Sequence, residues 1–167
     1  MRMASLSHAI AVRRAMPGSD PALYLVDTNI LSATAPGKAA YRELAQWMDG
    51  HSDALRLSVV TITEIEDGIA KAKRQGATRK ASDLADWLES VVHLYSDQIL
   101  PIDIGVAREA GRLLDCARGR GRDPGLADML IAATARVHRL TLLTRNVRDF
   151  DDCGVEVVDP FAGMGVK

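Results

Sequence analysis

A chain of 167 residues, 47% of them hydrophobic, makes one globular domain with a real core and is too short for two comfortable ones. No run of roughly eighteen apolar residues occurs, which excludes a membrane-spanning helix. Two cysteines without paired spacing exclude a disulfide framework or a Cys–His zinc site and suit a reduced, cytoplasmic protein, while a formal net charge of -1 is silent on nucleic acid because the overall balance hides local patches.

Residues 1–21 read as an N-terminal extension, disordered or loosely docked, ahead of a domain over residues 22–167. Its apolar run, Ala9 to Val12, is too short for a signal-peptide core, and Arg13 and Arg14 follow the run rather than precede it. From Leu23 the chain alternates strands and helices. Leu23 to Val26 is continuously apolar, the mark of a strand buried on both faces. Lys38 to Met48 predicts a helix with Tyr41, Leu44, Ala45 and Met48 on one side.

A second strand is expected over Leu57 to Val60, running into a helix with Ile62, Ile65 and Ile69 at helical spacing. Leu84, Trp87, Leu88, Val91, Val92 and Tyr95 predict a long helix, and Ile99 to Ile102 a third strand. Two more helices follow, one lined by Val106, Ala110, Leu113, Leu114 and Ala117, the next by Leu126, Met129, Leu130, Ala133 and Val137. Thr141 to Thr144 and Val155 to Val158 close the chain as strands. Strands separated by helices imply right-handed crossovers and a mostly parallel, twisted sheet covered on both faces. Sites in such sheets form at the carboxyl ends of the strands.

Acidic residues gather where that rule points. Asp27 directly follows the first strand, where it also suits a helix N-cap. Glu64 ends Thr61-Ile62-Thr63-Glu64, which matches a capping box as well as it matches a site position. Asp128 is more informative: Asp123 and Pro124 already supply cap and first-turn signals, and Asp128 heads an apolar stripe of Ile131, Ala132 and Ala135. A carboxylate there needs hydrogen bonds or a metal to offset its desolvation, which favours function. The fourth strand runs into Asn146, Asp149 and Asp151, among which spacing does not choose, and Asp103 reads as an N-cap. Hard divalent ions take oxygen ligands of this kind. Basic residues bunch in Lys71, Lys73, Arg74, Arg79 and Lys80, and again in Arg118, Arg120 and Arg122; both runs also read as solvated faces.

These residues, in this order, resemble the PIN-domain nucleases and, within them, the VapC-type toxins of bacterial toxin–antitoxin pairs. The carriers are Leu25-Val26-Asp27-Thr28-Asn29, Thr63-Glu64-Ile65 with Gly68-Ile69, Leu126-Ala127-Asp128 through Ala135, Leu143-Thr144-Arg145-Asn146 with Asp149-Phe150, and Asp159-Pro160-Phe161. The resemblance covers about Leu23 to Phe161. It implies a three-layer α/β sandwich and Mg²⁺- or Mn²⁺-dependent cleavage of RNA. It further implies a homodimer and a cognate antitoxin whose tail occupies the active-site groove, in a heterotetramer or larger assembly. Asp27 and Asp128 fall on the principal metal-binding aspartates and Glu64 on the third acid. The fourth acid falls near Asn146, an amide that Asp149 can replace. Arg118, Arg120, Arg122 and Arg145 are the expected RNA contacts.

Two other readings compete. A PIN module that binds RNA or a partner without cutting is kept open by Asn146. A haloacid-dehalogenase-type phosphatase also places a nucleophilic Asp after the first strand, but wants a second Asp where Asn29 stands. It also wants a downstream lysine, and none lies between Lys80 and Lys167.

Overall fold

Five short runs of branched aliphatic residues form the sheet, and their order sets the architecture. β1 (Tyr24–Val26), β2 (Leu55–Ser58), β3 (Ile99–Leu100), β4 (Thr141–Leu143) and β5 (Val157–Val158) are all parallel, in the order β3-β2-β1-β4-β5. They belong to a computed structural model that describes residues 22–37, 42–151 and 153–162. The N-terminal extension and the start of the first expected helix, Lys38 to Tyr41, lie outside the described residues. The helices are α1 (Thr28–Ser32), α2 (Arg42–Gly50), α3 (Val59–Arg74), α4 (Thr78–Leu94), α5 (Ile104–Gly119) and α6 (Leu126–His138).

Successive strand residues point to opposite faces, so the central strands feed two cores. Val26 and Leu143 join Leu44, Ile65, Ile69 and Leu88 on the side of α1 to α4. Leu25 and Leu142 join Val106, Leu113, Met129 and Ile131 on the side of α5 and α6. The result is the expected three-layer sandwich. The chain works outward from β1 through β2 to β3, then returns to lay β4 and β5 on the other side. The strand order therefore reverses between β1 and β4, the point where open parallel sheets leave a crevice at their carboxyl ends.

Four sequence expectations are corrected. The second strand is Leu55–Ser58, not Leu57 to Val60, because buried Ser58 caps α3 by accepting from the Val60 N–H at 3.1 Å. The β-branched Val59 and Val60 imitate strand composition while starting a helix. The Thr61–Glu64 capping box consequently does not form. Thr61 is fully buried in the first turn of α3, and its hydroxyl has no hydrogen-bond partner.

Third, α6 buries only part of the stripe expected of it: Met129 and Ala133 are inside, but its two ends are not. Leu126 is 60% exposed and Val137 42%, whereas Met129 and all of Ile131 to Ala135 are buried. A one-sided stripe describes a helix with one neighbour; α6 packs on α5 and also meets α3 and β4. Ala132, Ala133 and Ala135 let those neighbours come close. The ends of β3 and β5 are also shorter than read, since Ile102 and Val155 fall outside their strands. Replacing Ala132 by Leu is expected to overpack this contact and cost about 1–3 kcal/mol. Val137→Ala should stay within about 0.5 kcal/mol. Urea unfolding of both variants measures the pair, and an equal loss at Val137 would restore the stripe.

Candidate active site

Asp27 stands at the strand-order reversal. Its N–H still donates to the carbonyl of Leu143 at 2.9 Å, prolonging the β1–β4 ladder by one residue. Its side chain then does two jobs. Oδ1 accepts from the Thr28 N–H at 2.7 Å and so caps α1. Oδ2 accepts from the Asn29 amide and the Thr144 hydroxyl, each at 2.6 Å. The cap and the site are the same residue. Asp27 is 4% exposed, and burial pushes its carboxyl above the ordinary range. The Thr144, Thr28 and Asn29 hydrogen bonds oppose that rise, and the charge of Glu64 adds to it.

A second ring of contacts fixes the residues that fix Asp27. Asn29 also donates to Thr144 Oγ1 at 3.0 Å and accepts from the Arg145 N–H at 3.1 Å. The Asn146 N–H donates to Thr144 Oγ1 at 3.1 Å. Thr28 donates its hydroxyl to Glu64, linking α1 to the exposed side of α3. Thr28, Asn29 and Thr144 carry the arrangement, and sequence reasoning assigned none of them a role. Their available signal was a fully buried Thr at the end of β4 and two short polar residues following Asp27.

Asp128 approaches from α6. Gly125, not Asp123, is the N-cap of that helix, and it makes no side-chain cap hydrogen bond. The Asp128 carboxylate lies over Gly125 so closely that a Cβ there would sit 3.1 Å from Oδ2. Asp128 receives no hydrogen bond among the described residues. Burial first, then the charges of Asp27, Asp149 and Glu64, push its pKa up to about 6. Four acids from four parts of the chain thus meet electrostatically, as expected for Asp27, Glu64 and Asp128. Near the expected fourth position, Asp149 on the turn Val147–Phe150 adds its charge to the field at Asp128, and Asn146 contributes its backbone N–H; both residues are exposed.

Each of the arginines expected at the RNA already makes contacts within the protein. Arg118 lies 3.7 Å from Asp123, and Arg122 donates to the carbonyls of Arg148 and Asp151 at 2.9 and 3.2 Å. Arg145 places its guanidinium 5.0 Å from the centre of the Phe161 ring. Arg120 caps the end of α5.

The PIN domain family model matches residues 24–155. The chain belongs to the PIN domain family. Toxin FitB of Neisseria gonorrhoeae is 32% identical over 141 residues, covering 83% of this chain and 99% of that protein. The crystal structure of FitAcB from the same organism superposes with a TM-score of 0.71 at 31% identity, covering 84% and 99%. Ribonuclease VapC10 of Mycobacterium tuberculosis is 33% identical over 130 residues, covering 77% and 86%. VapBC-5 of the same species, a member of the VapBC family of toxin-antitoxin systems, has a TM-score of 0.61 at 27% identity, covering 83% and 98%.

In this PIN domain the donor set suits a hard cation. The described residues hold no cluster of three His, Cys, Asp or Glu side chains tight enough to grip a bare ion. Few carboxylates around a partly hydrated ion is the habit of Mg²⁺. Without a cation the acids repel, and each close pair costs on the order of 1 kcal/mol. Asp128 titrates near 6 in the fold and about 3.9 unfolded, so the native state holds the extra proton between those values. Stability therefore falls as pH rises through that window, and the penalty is complete above it. In chelator at about pH 7.5, Asp128→Asn is expected to melt roughly 2–4 °C above wild type, the change for about 1 kcal/mol in a domain of this size. The gain should largely vanish near pH 4, where native Asp128 is protonated and no longer adds its charge to the repulsion. Thermal unfolding at the two pH values decides; a lower melting point for the Asn variant in chelator means Asp128 is structural.

Proposed function

We propose that this PIN-domain protein is a metal-dependent endoribonuclease and the toxin of a VapBC-type pair, acting in the cytoplasm. The observation that carries the reading is the meeting of Asp27, Glu64, Asp128 and Asp149 at the reversal between β1 and β4. The names of the relatives supply the substrate class and the assembly. A cognate antitoxin and a homodimer, assembled as a heterotetramer or larger complex, are the partners.

Asp27 and Asp128, with Glu64 and Asp149 beside them, would hold Mg²⁺, with Mn²⁺ able to substitute, and the ion would supply acidification of a water and neutralisation of charge on the phosphodiester. Asp27 contributes rigidity, because both its oxygens are already hydrogen-bonded and cannot swing. Glu64, oriented by the Thr28 hydroxyl, takes the proton from the attacking water. Attack by water rather than by the ribose 2′-hydroxyl leaves 5′-phosphate and 3′-hydroxyl ends. Asp128 must be ionised to contribute, so metal binding should weaken as pH falls through about 6.

Asp149 removes the reason to read a non-cutting module, since the acid missing at Asn146 is supplied three residues later. The phosphatase reading loses too: Asn29 spends its amide on Asp27 and Thr144. RNA cleavage should require Mg²⁺ or Mn²⁺ and stop in chelator. Asp27→Asn and Asp128→Asn should each lower it by at least about 10²-fold, the loss typical of a group that stabilises transition-state charge, while both variants remain folded. Sequencing of RNA ends after expression of wild type and Asp128→Asn maps the cuts. Undiminished cleavage by the folded, purified double variant would refute the assignment.

A further inference from the structure

Beside the acids lies a cavity of about 320 Å³ that the mechanism does not use. Asp128 and Asp149 stand on its lining, which continues along the end of α5, the segment between α5 and α6, and the turn after β4. Leu113, Ala117 and Met129 give it an apolar surface, and Arg120, Asp123 and Asp151 a polar one. The cavity is braced. Arg122 ties the α5–α6 segment to the carbonyls of Arg148 and Asp151, holding two walls at a set distance. This explains an arginine that looked like a phosphate contact in the sequence. It is a positioning residue of the pocket.

The lining specifies the ligand. At about 320 Å³ the cavity falls at the lower end of pockets that take small organic molecules, about 300 Å³ upward. With Asp128 and Asp149 given to the cation, Asp123 and Asp151 balance the two arginines on the rest of the lining, so no excess positive charge draws a second bare phosphate. Ionised carboxylates only accept hydrogen bonds, so the occupant must bring donors, and an exocyclic amino group brings two where the uracil ring offers one. Apolar side chains and guanidinium planes suit a flat ring. We propose that this cavity is a nucleobase subsite. It receives the base next to the phosphodiester held at the acids, and it prefers a base with an exocyclic amino group (cytosine, adenine or guanine) over uracil. The proposal rests on the ribonuclease reading and deepens it. A base reaches such a pocket only when unstacked, so the substrate must be single-stranded at the cut.

Cys116 offers a probe, because it lines the cavity and is exposed, whereas Cys153 is buried. In Glu64→Gln protein with Mg²⁺, which on this reading binds RNA without cutting it, a cytidine-rich single-stranded oligonucleotide should slow alkylation of Cys116 by iodoacetamide several-fold. A uridine-only oligonucleotide should slow it far less. Fluorescence anisotropy establishes binding of each in parallel. Wild-type protein should cut a substrate with cytidine at the flanking position roughly tenfold faster than its uridine counterpart, the discrimination of one good base contact. Ala117→Trp, which fills the cavity from α5, should bring that ratio to about one. RNA that binds while Cys116 reacts at its free rate, or cleavage blind to the flanking base, overturns the subsite and leaves the nuclease reading standing. Neither binding nor cleavage overturns both.

Discussion

Everything at the carboxyl edge of this sheet depends on one buried carboxylate. Asp27 is the last residue to pair along β1 and the first to leave it. A charged group with 4% exposure persists only if its oxygens are satisfied. Three short polar groups do this, from Thr28, Asn29 and Thr144. Two come from the next turn of chain, and the third comes from the neighbouring strand, more than a hundred residues away. The same hydrogen bonds that make burial tolerable also join β1 to β4 where the strand order reverses. Hydrogen bonds to a charged group contribute about 1.5–3 kcal/mol each, so the anchor of the site also anchors the sheet.

The other acids are placed by helix starts. Ser58 caps α3 and Asp103 caps α5, each with a side-chain hydrogen bond to the backbone. α6 has no such bond, with Gly125 at its N-cap. The absence of a side chain there leaves room for the Asp128 carboxylate, which lies over the glycine and accepts no hydrogen bond among the described residues. The positive end of the helix partly compensates the charge. It does not remove the repulsion from Asp27, Asp149 and Glu64, which together with burial holds Asp128 near 6. A satisfied cap at α6 would have added stability, yet a side chain at Gly125 would crowd the Asp128 carboxylate. The fold keeps Asp128 short of partners, as sites that await a ligand commonly do.

Much of this architecture was legible from local pattern. The apolar runs marked the strands, the spacing of Leu84 to Tyr95 marked α4, and the alternation of elements implied a parallel sheet whose site lies at its carboxyl edge. Asp27, Glu64 and Asp128 stood out because they lie at or near the starts of helices that follow those strands. The errors arose where one residue type serves two structures. Val59 and Val60 suit a strand by composition but lie past the Ser58 cap, which only backbone geometry reveals. Leu126 and Val137 fit a helical stripe, but α6 is enclosed on several sides along its middle, where Met129 and Ile131 to Ala135 are buried, while those two lie toward its exposed ends.

Sequence alone determined the order of elements, the family resemblance and the three acids adjacent to strand and helix starts, because each is a matter of spacing along the chain. Tertiary structure decided what those acids touch. Thr144 meets Asp27 because β1 and β4 are neighbours in register, with Val26 opposite Leu143. The charge of Asp149 reaches Asp128 because the turn Val147–Phe150 packs against α6. Arg122 is a brace because its loop returns to the carbonyls of Arg148 and Asp151. Each of these contacts joins residues whose separation along the chain says nothing of their distance in space, and charges and hydrogen bonds respond only to the latter.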